Sequence, residues 1–185
     1  MSSNLTVVVC HGYYHTPEPY QPLINALKSR GIEAYCPQLA TSDFSKLNVG
    51  DVKHPKFDLE PPVGGYPQGV EDTEILRGIL TDLIEGQGKE VLLVAHSAGG
   101  WVATESAVPE LQAKVRKSKN AAGGIIGIFY YSAFIIPVGE SIHSFFQPKG
   151  ESTYQPPWMT LYVSFQPHNS IAGFSNSNTT LEKRL

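Results

Sequence analysis

Residues 91–103 read VLLVAHSAGGWVA, an apolar run that reaches Ser97 and leaves it through Ala98, Gly99 and Gly100. Val91–Ala95 has the length and aliphatic content of a strand buried on both faces, and Ala98–Ala107 resumes with the small and apolar residues of a packed helix. Ser97 therefore falls where a strand turns sharply into a helix. Such a turn holds its apex residue in strained backbone and lifts that side chain clear of the sheet, which requires small neighbours. Ala95 stands two residues before the serine and Gly99 two after it. The backbone N–H of Ala98, at the head of the helix, lies where the helix dipole favours negative charge.

The same alternation extends outward. Leu5–Cys10, LTVVVC, reads as a buried strand that stops at His11-Gly12. A proline-bearing loop leads to a helix over Tyr20–Arg30, with Leu23, Ile24 and Leu27 assigned to one face and Gly31 as its stop. Ile32–Cys36, closed by Pro37, is the next strand, completing a right-handed βαβ unit. Residues 38–69 are rich in proline and glycine without a period and form a long irregular excursion. A helix follows over Glu71–Glu85, and Gly123–Phe134 is the fourth strand. The pattern predicts an α/β fold, a mostly parallel sheet with helices on both faces. His11-Gly12, Ser97 and the Ser132–Phe134 stretch all fall at the carboxyl edge of the strands, where ligands bind in such sheets. After Ile135 the pattern weakens to a short apolar run at Met159–Phe165, a helical or cap segment near Ser164–Ser170 and a polar tail. This divides the chain into a core over 1–138 and a cap-like segment with tail over 139–185.

Composition narrows the function. The chain has 185 residues, 41% hydrophobic and 17% charged, which suits one domain with one core. A net charge of -3 gives no electrostatic reason to expect nucleic acid or an anionic membrane as partner. The apolar stretch Ile125–Ile136 is broken by Tyr and Ser and is shorter than the roughly 20 residues of a membrane span. The amino end, MSSNLTVVVCHG, lacks the basic and apolar regions of a secretory signal, so a cytoplasmic address is expected. Cys10 and Cys36 read as reduced core residues. No dinucleotide or P-loop motif occurs, so no cofactor is expected, and His11, His15, His54 and His96 lack the spacing of a zinc site, so no metal is expected.

A serine at such a turn is suited to nucleophilic attack when a base takes its proton and N–H donors receive the developing oxyanion. Ala98 offers one donor. The loop after the first strand, HGYYHTP, offers a second at Tyr13. His11 reads as a group that orders this loop, and His96 as a packed residue pointing away from Ser97. Tyr14, His15 and Phe134 are assigned to the substrate pocket, with Tyr130, Tyr131 and Trp158 as further aromatic surface or core. Asp72 reads as support for the start of its helix, and Glu105 as a surface or supporting group.

Taken in order, VVVCHGYYHTPEPYQPLINAL, GIEAYCPQL, VLLVAHSAGGWVATE and GIFYYSAFIIPVGES resemble the α/β-hydrolase family over residues 5 to about 145. They are similar to small fungal esterase-type hydrolases, some encoded within secondary-metabolite pathways. The resemblance implies that Ser97 attacks the carbonyl of a small ester or lactone, that Tyr13 and Ala98 hold the oxyanion, and that water completes acyl transfer. Two departures stand out. Ala95 occupies the first glycine position of the family's G-x-S-x-G turn, a mild substitution. After the fourth strand, moreover, Glu140, Glu151, Glu182, His143 and His168 do not match the positions of the family's acid and histidine. This implies a core truncated after the cap region, with His143 and His168 as candidate surrogate bases. The alternatives are a catalytically silent binding protein whose open sheet edge pairs with a second copy, and a lyase using the same pocket.

Overall fold

The computed structural model describes residues 4–137 and 139–146 of the chain. The expected Met159–Phe165 and Ser164–Ser170 segments and His168 lie outside the described residues, as does the side chain of His143. Four strands, β1 (Leu5–Cys10), β2 (Glu33–Tyr35), β3 (Glu90–Ser97) and β4 (Gly124–Ala133), form one parallel sheet in the order β2-β1-β3-β4. The helices are α1 (Gln21–Lys28), α2 (Gly69–Thr81), α3 (Gly99–Ser106), α4 (Ala113–Ser118) and α5 (Ile142–Phe146). An α/β architecture with a parallel sheet is therefore what the chain adopts.

Strand alternation builds the two layers of core. Val8 and Cys10 of β1 and Val91, Leu93 and Ala95 of β3 face α2 and α3, packing with Leu76, Leu80, Val102 and Ala103. Val7 and Val9 face the other way, onto Tyr20 and Ile24 at α1 and Ala34 of β2. Burial on both sides is why β1 reads as an unbroken apolar run. Beyond Thr81 the helix widens into a π turn over Asp82–Gly86, which directs the consecutive Leu83 and Ile84 into the core.

Some expectations shift. Leu23 is exposed, so the buried stripe of α1 rests on Ile24 with Leu27 beside it. The helix that begins the second half starts at Gly69 rather than Glu71, through a capping box in which the Gln68 N–H donates to Glu71 Oε2 at 2.9 Å. The excursion over 38–69 carries two short 3-10 turns, Ala40–Ser42 and Phe44–Lys46. Helix α4 has no sequence signal because none of its residues is buried, so it carries no apolar stripe.

Two contacts fix the strand ends that frame the serine. A Cβ on Gly99 would lie 2.2 Å from the Cys10 carbonyl oxygen, and one on Gly100 would lie 2.5 Å from the Phe134 carbonyl oxygen. The start of α3 is thus wedged between the ends of β1 and β4, with no space for a side chain. His11, fully buried, holds the excursion to the end of β1. The Leu39 N–H donates to its Nε2 at 3.1 Å, so the ring proton sits on Nδ1, which donates to the Gly12 carbonyl at 2.9 Å.

Replacing Gly99 with Ala should cost about 3 kcal/mol in urea denaturation, because the clash is with backbone that has no room to yield. In contrast, Gly78→Ala, at an exposed helical position with open space around it, should gain about 0.5–1 kcal/mol. Burial also holds the His11 imidazole below its ordinary value of 6.5. The unfolded chain therefore takes up a proton before the folded one as the pH falls, so this contribution to stability is complete above about 6.5 and declines below it. Urea denaturation at about pH 7.5 and 5.5 should show the loss, up to ~1.4 kcal/mol per pH unit for this one group, and His11→Gln should lessen the slope.

Candidate active site

Ser97, the last residue of β3, has a φ of 53°, in the left-handed region where a serine is strained. Its carbonyl is pinned from the other side by the Phe134 N–H at 2.8 Å. The turn is also closed from above. A Cβ on Gly12 would sit 2.8 Å from Ser97 Cβ and 3.3 Å from its Oγ, so only glycine lets the loop after β1 rest against the serine. The Ser97 side chain is half-buried.

Ala98 is the N-cap of α3, with φ -61° and ψ -22°, and is buried at 1% exposure. Its N–H belongs to the orphan donors of the helix start and makes no backbone hydrogen bond among the described residues. Tyr13 follows Gly12 in the turn that the His15 N–H closes onto the Gly12 carbonyl at 3.3 Å. Its ring is tucked toward α2. A Cβ on Gly69 would lie 3.3 Å from the Tyr13 hydroxyl and 2.4 Å from the Trp101 ring. Burial, with Asp72 adding to it, pushes the Tyr13 phenol well above its usual range, so it stays protonated.

Of the residues assigned to the pocket, Tyr14 is 79% exposed with a φ of 64°, a second strained residue in the loop. Phe134 is half-buried, next to the turn through its N–H. His15 lies in an ordered position rather than a loose one, with Nδ1 2.8 Å from the Tyr20 hydroxyl and its ring stacked on His96 at 5.3 Å between centroids. His96 is also stacked with Tyr131 at 4.8 Å, and its Nδ1 lies 2.7 Å from the same Tyr20 hydroxyl. Burial and the neighbouring His15 lower the His96 pKa.

Tyr20 is the residue that reading the sequence missed. Its hydroxyl also accepts the Gly12 N–H at 3.3 Å, which joins the loop, the helix and β3 at one oxygen. A tyrosine at the start of an amphipathic helix reads as core, and nothing local in the chain marks its hydroxyl. Ser132, in the stretch expected at the carboxyl edge, has a φ of 44°. It is an extra residue in β4, where pairing passes from His96–Tyr131 to Ser97–Ala133.

Asp72 does more than support a helix start. It is fully buried and accepts the Thr41 N–H at 2.9 Å and the Thr41 hydroxyl at 2.6 Å, tying the irregular excursion to α2. Burial raises its pKa despite those bonds. Glu105 is half-buried on α3, and its carbonyl accepts from Arg77 Nη2 at 2.5 Å. Of the candidate bases, His168 and the side chain of His143 lie outside the described residues. The described residues hold no group of three or more metal-ligating side chains, and no described helix is long and apolar enough to cross a membrane.

Among curated proteins, the chain is 26% identical over 144 residues to the alpha/beta hydrolase nvfD of Aspergillus novofumigatus, covering 77% of this chain and 48% of that protein. It thus spans about half the length of the curated relative it matches. Among solved structures, it is similar to an extracellular alpha/beta-hydrolase from a Paenibacillus species, at 20% identity and a TM-score of 0.47 over 78% of this chain and 47% of that one. A lipase/esterase from Lactobacillus plantarum matches at 18% identity and a TM-score of 0.44 over 73% of this chain and 52% of that one. The model of the alpha/beta hydrolase family matches residues 7–180, nearly the whole sequence, and the chain belongs to that family.

Proposed function

We propose that the chain is a serine hydrolase of small esters or lactones, with Ser97 as its nucleophile. The supporting observation is the strained Ser97 backbone, at φ 53°, at the end of a central strand, closed in by Gly12 and Gly99. A serine is held in that conformation only where the surroundings over-determine it, and the strain sets its half-buried hydroxyl beside a helix start. In the proposed reaction, Ser97 Oγ bonds to the carbonyl carbon as its proton passes to a base. The tetrahedral oxyanion is met by the N–H groups of Tyr13 and Ala98, and the carbon–oxygen bond to the leaving alcohol then breaks as that alcohol is protonated. Water hydrolyses the acyl-enzyme in the second half. The candidate bases are His143 and His168, the histidines that follow β4 in the chain. Tyr14 and Phe134 suit a substrate with an apolar or cyclic acyl part.

A fluorophosphonate probe tests this. The reading predicts stoichiometric labelling of the folded protein, lost in Ser97→Ala, and slowed in His143→Ala or His168→Ala if that residue is the base. Absence of labelling in the native protein contradicts the reading.

A second reading has its own observation. Among the described strands β4 pairs with β3 alone, its other edge is bridged by Gln112 at Ile125, and it exposes Ile126, Phe129 and Tyr131. Such an edge suits pairing with a second copy, and a silent, hydrolase-like binding protein needs no more. If this holds, sedimentation shows a dimer that Phe129→Lys dissociates. A monomer at every concentration rejects it.

A further inference from the structure

The Tyr20 hydroxyl has more partners than a packing residue needs. A phenol carries one proton to donate and two lone pairs to accept with. The Gly12 N–H takes one lone pair. One proton and one lone pair then remain for His15 Nδ1 at 2.8 Å and His96 Nδ1 at 2.7 Å. Both nitrogens bond to the same oxygen only if one is bare and accepts the phenol proton while the other carries a proton and donates it. Two bare nitrogens would compete for one proton, and two N–H groups would compete with Gly12 for two lone pairs.

We propose that Tyr20 is a positioning residue that ties the loop after β1 to the serine turn through His15 and His96, holding the two histidines in opposite Nδ1 protonation states. This deepens the reading of Ser97 as nucleophile and rests on it for its catalytic consequence. The geometry bears on both proposed oxyanion donors. Gly12 and His15 bracket Tyr13 in the loop, and both are fastened to the phenol. His96 precedes Ser97 and Ala98 in the chain, and it is fastened to the same oxygen. A Cβ at Gly12 would lie 3.3 Å from Ser97 Oγ and 3.4 Å from His96 Nδ1, which puts the serine and the brace against the same backbone position. The distance between the two donor N–H groups is therefore set across Tyr20 rather than by either loop alone. The stack of His15 on His96 and of His96 on Tyr131 keeps the rings from rotating out of these bonds.

Long-range proton–nitrogen NMR correlation on the uniformly nitrogen-15-labelled full chain reads the protonation of each ring nitrogen, with His15→Gln and His96→Gln providing assignment. In the unmodified protein near neutral pH, one Nδ1 should be protonated and the other bare. The same state at both overturns the proposal without any Tyr20 variant. Tyr20→Phe keeps the buried ring and removes the hydroxyl. It should erase the opposed pattern, move the Tyr13 and Ala98 amide resonances, and slow fluorophosphonate labelling by about ten-fold or more, with Ser97 still the modified residue. Unmoved Tyr13 and Ala98 amides in a folded Tyr20→Phe protein overturn the positioning role. If the native protein shows opposed histidines and responsive amides yet never reacts with the probe, the brace stands and the hydrolase reading fails.

Discussion

The serine turn depends on three backbones meeting where there is no room for side chains. The head of α3 passes so close to the Cys10 and Phe134 carbonyls that Gly99 and Gly100 have no space for a methyl group, and Gly12 approaches Ser97 from the loop under the same restriction. Interiors this dense transmit displacement rather than absorb it. A shift at the end of β1 or β4 therefore moves the serine. The strain at Ser97 persists because the parallel pairing of β1 with β3 and of β3 with β4 leaves the chain no other exit.

Around that steric frame lies a polar one. His11, with both ring nitrogens bonded, anchors Leu39 to the end of β1, and Asp72 anchors Thr41 to α2. The long proline-rich excursion is thus fastened at its near end by two buried groups that face the loop rather than solvent. His11 has no ring nitrogen to spare for proton transfer to Ser97, and both carboxylate oxygens of Asp72 are turned to Thr41. Tyr20, His15 and His96 form a third anchor nearest the serine.

Much of this was legible in the chain. The apolar runs of β1 and β3 announce themselves because both faces are buried, and the small residues around Ser97 mark the turn because only they fit there. Leu23 misled because a helix at a sheet edge buries a narrower stripe than its apolar residues suggest. Helix α4 left no trace, having no buried face. The polar anchors were harder still. His11, Asp72 and Tyr20 each reach a partner far along the chain, 28, 31 and 76 residues away, distances over which local pattern carries no information.

The most direct test is a crystal structure of the protein after reaction with a fluorophosphonate. The account predicts phosphorus bonded to Ser97 Oγ, with the phosphonyl oxygen about 2.7–3.1 Å from the backbone nitrogens of both Tyr13 and Ala98. An adduct on any other residue, or a phosphonyl oxygen turned away from those two nitrogens, would contradict it.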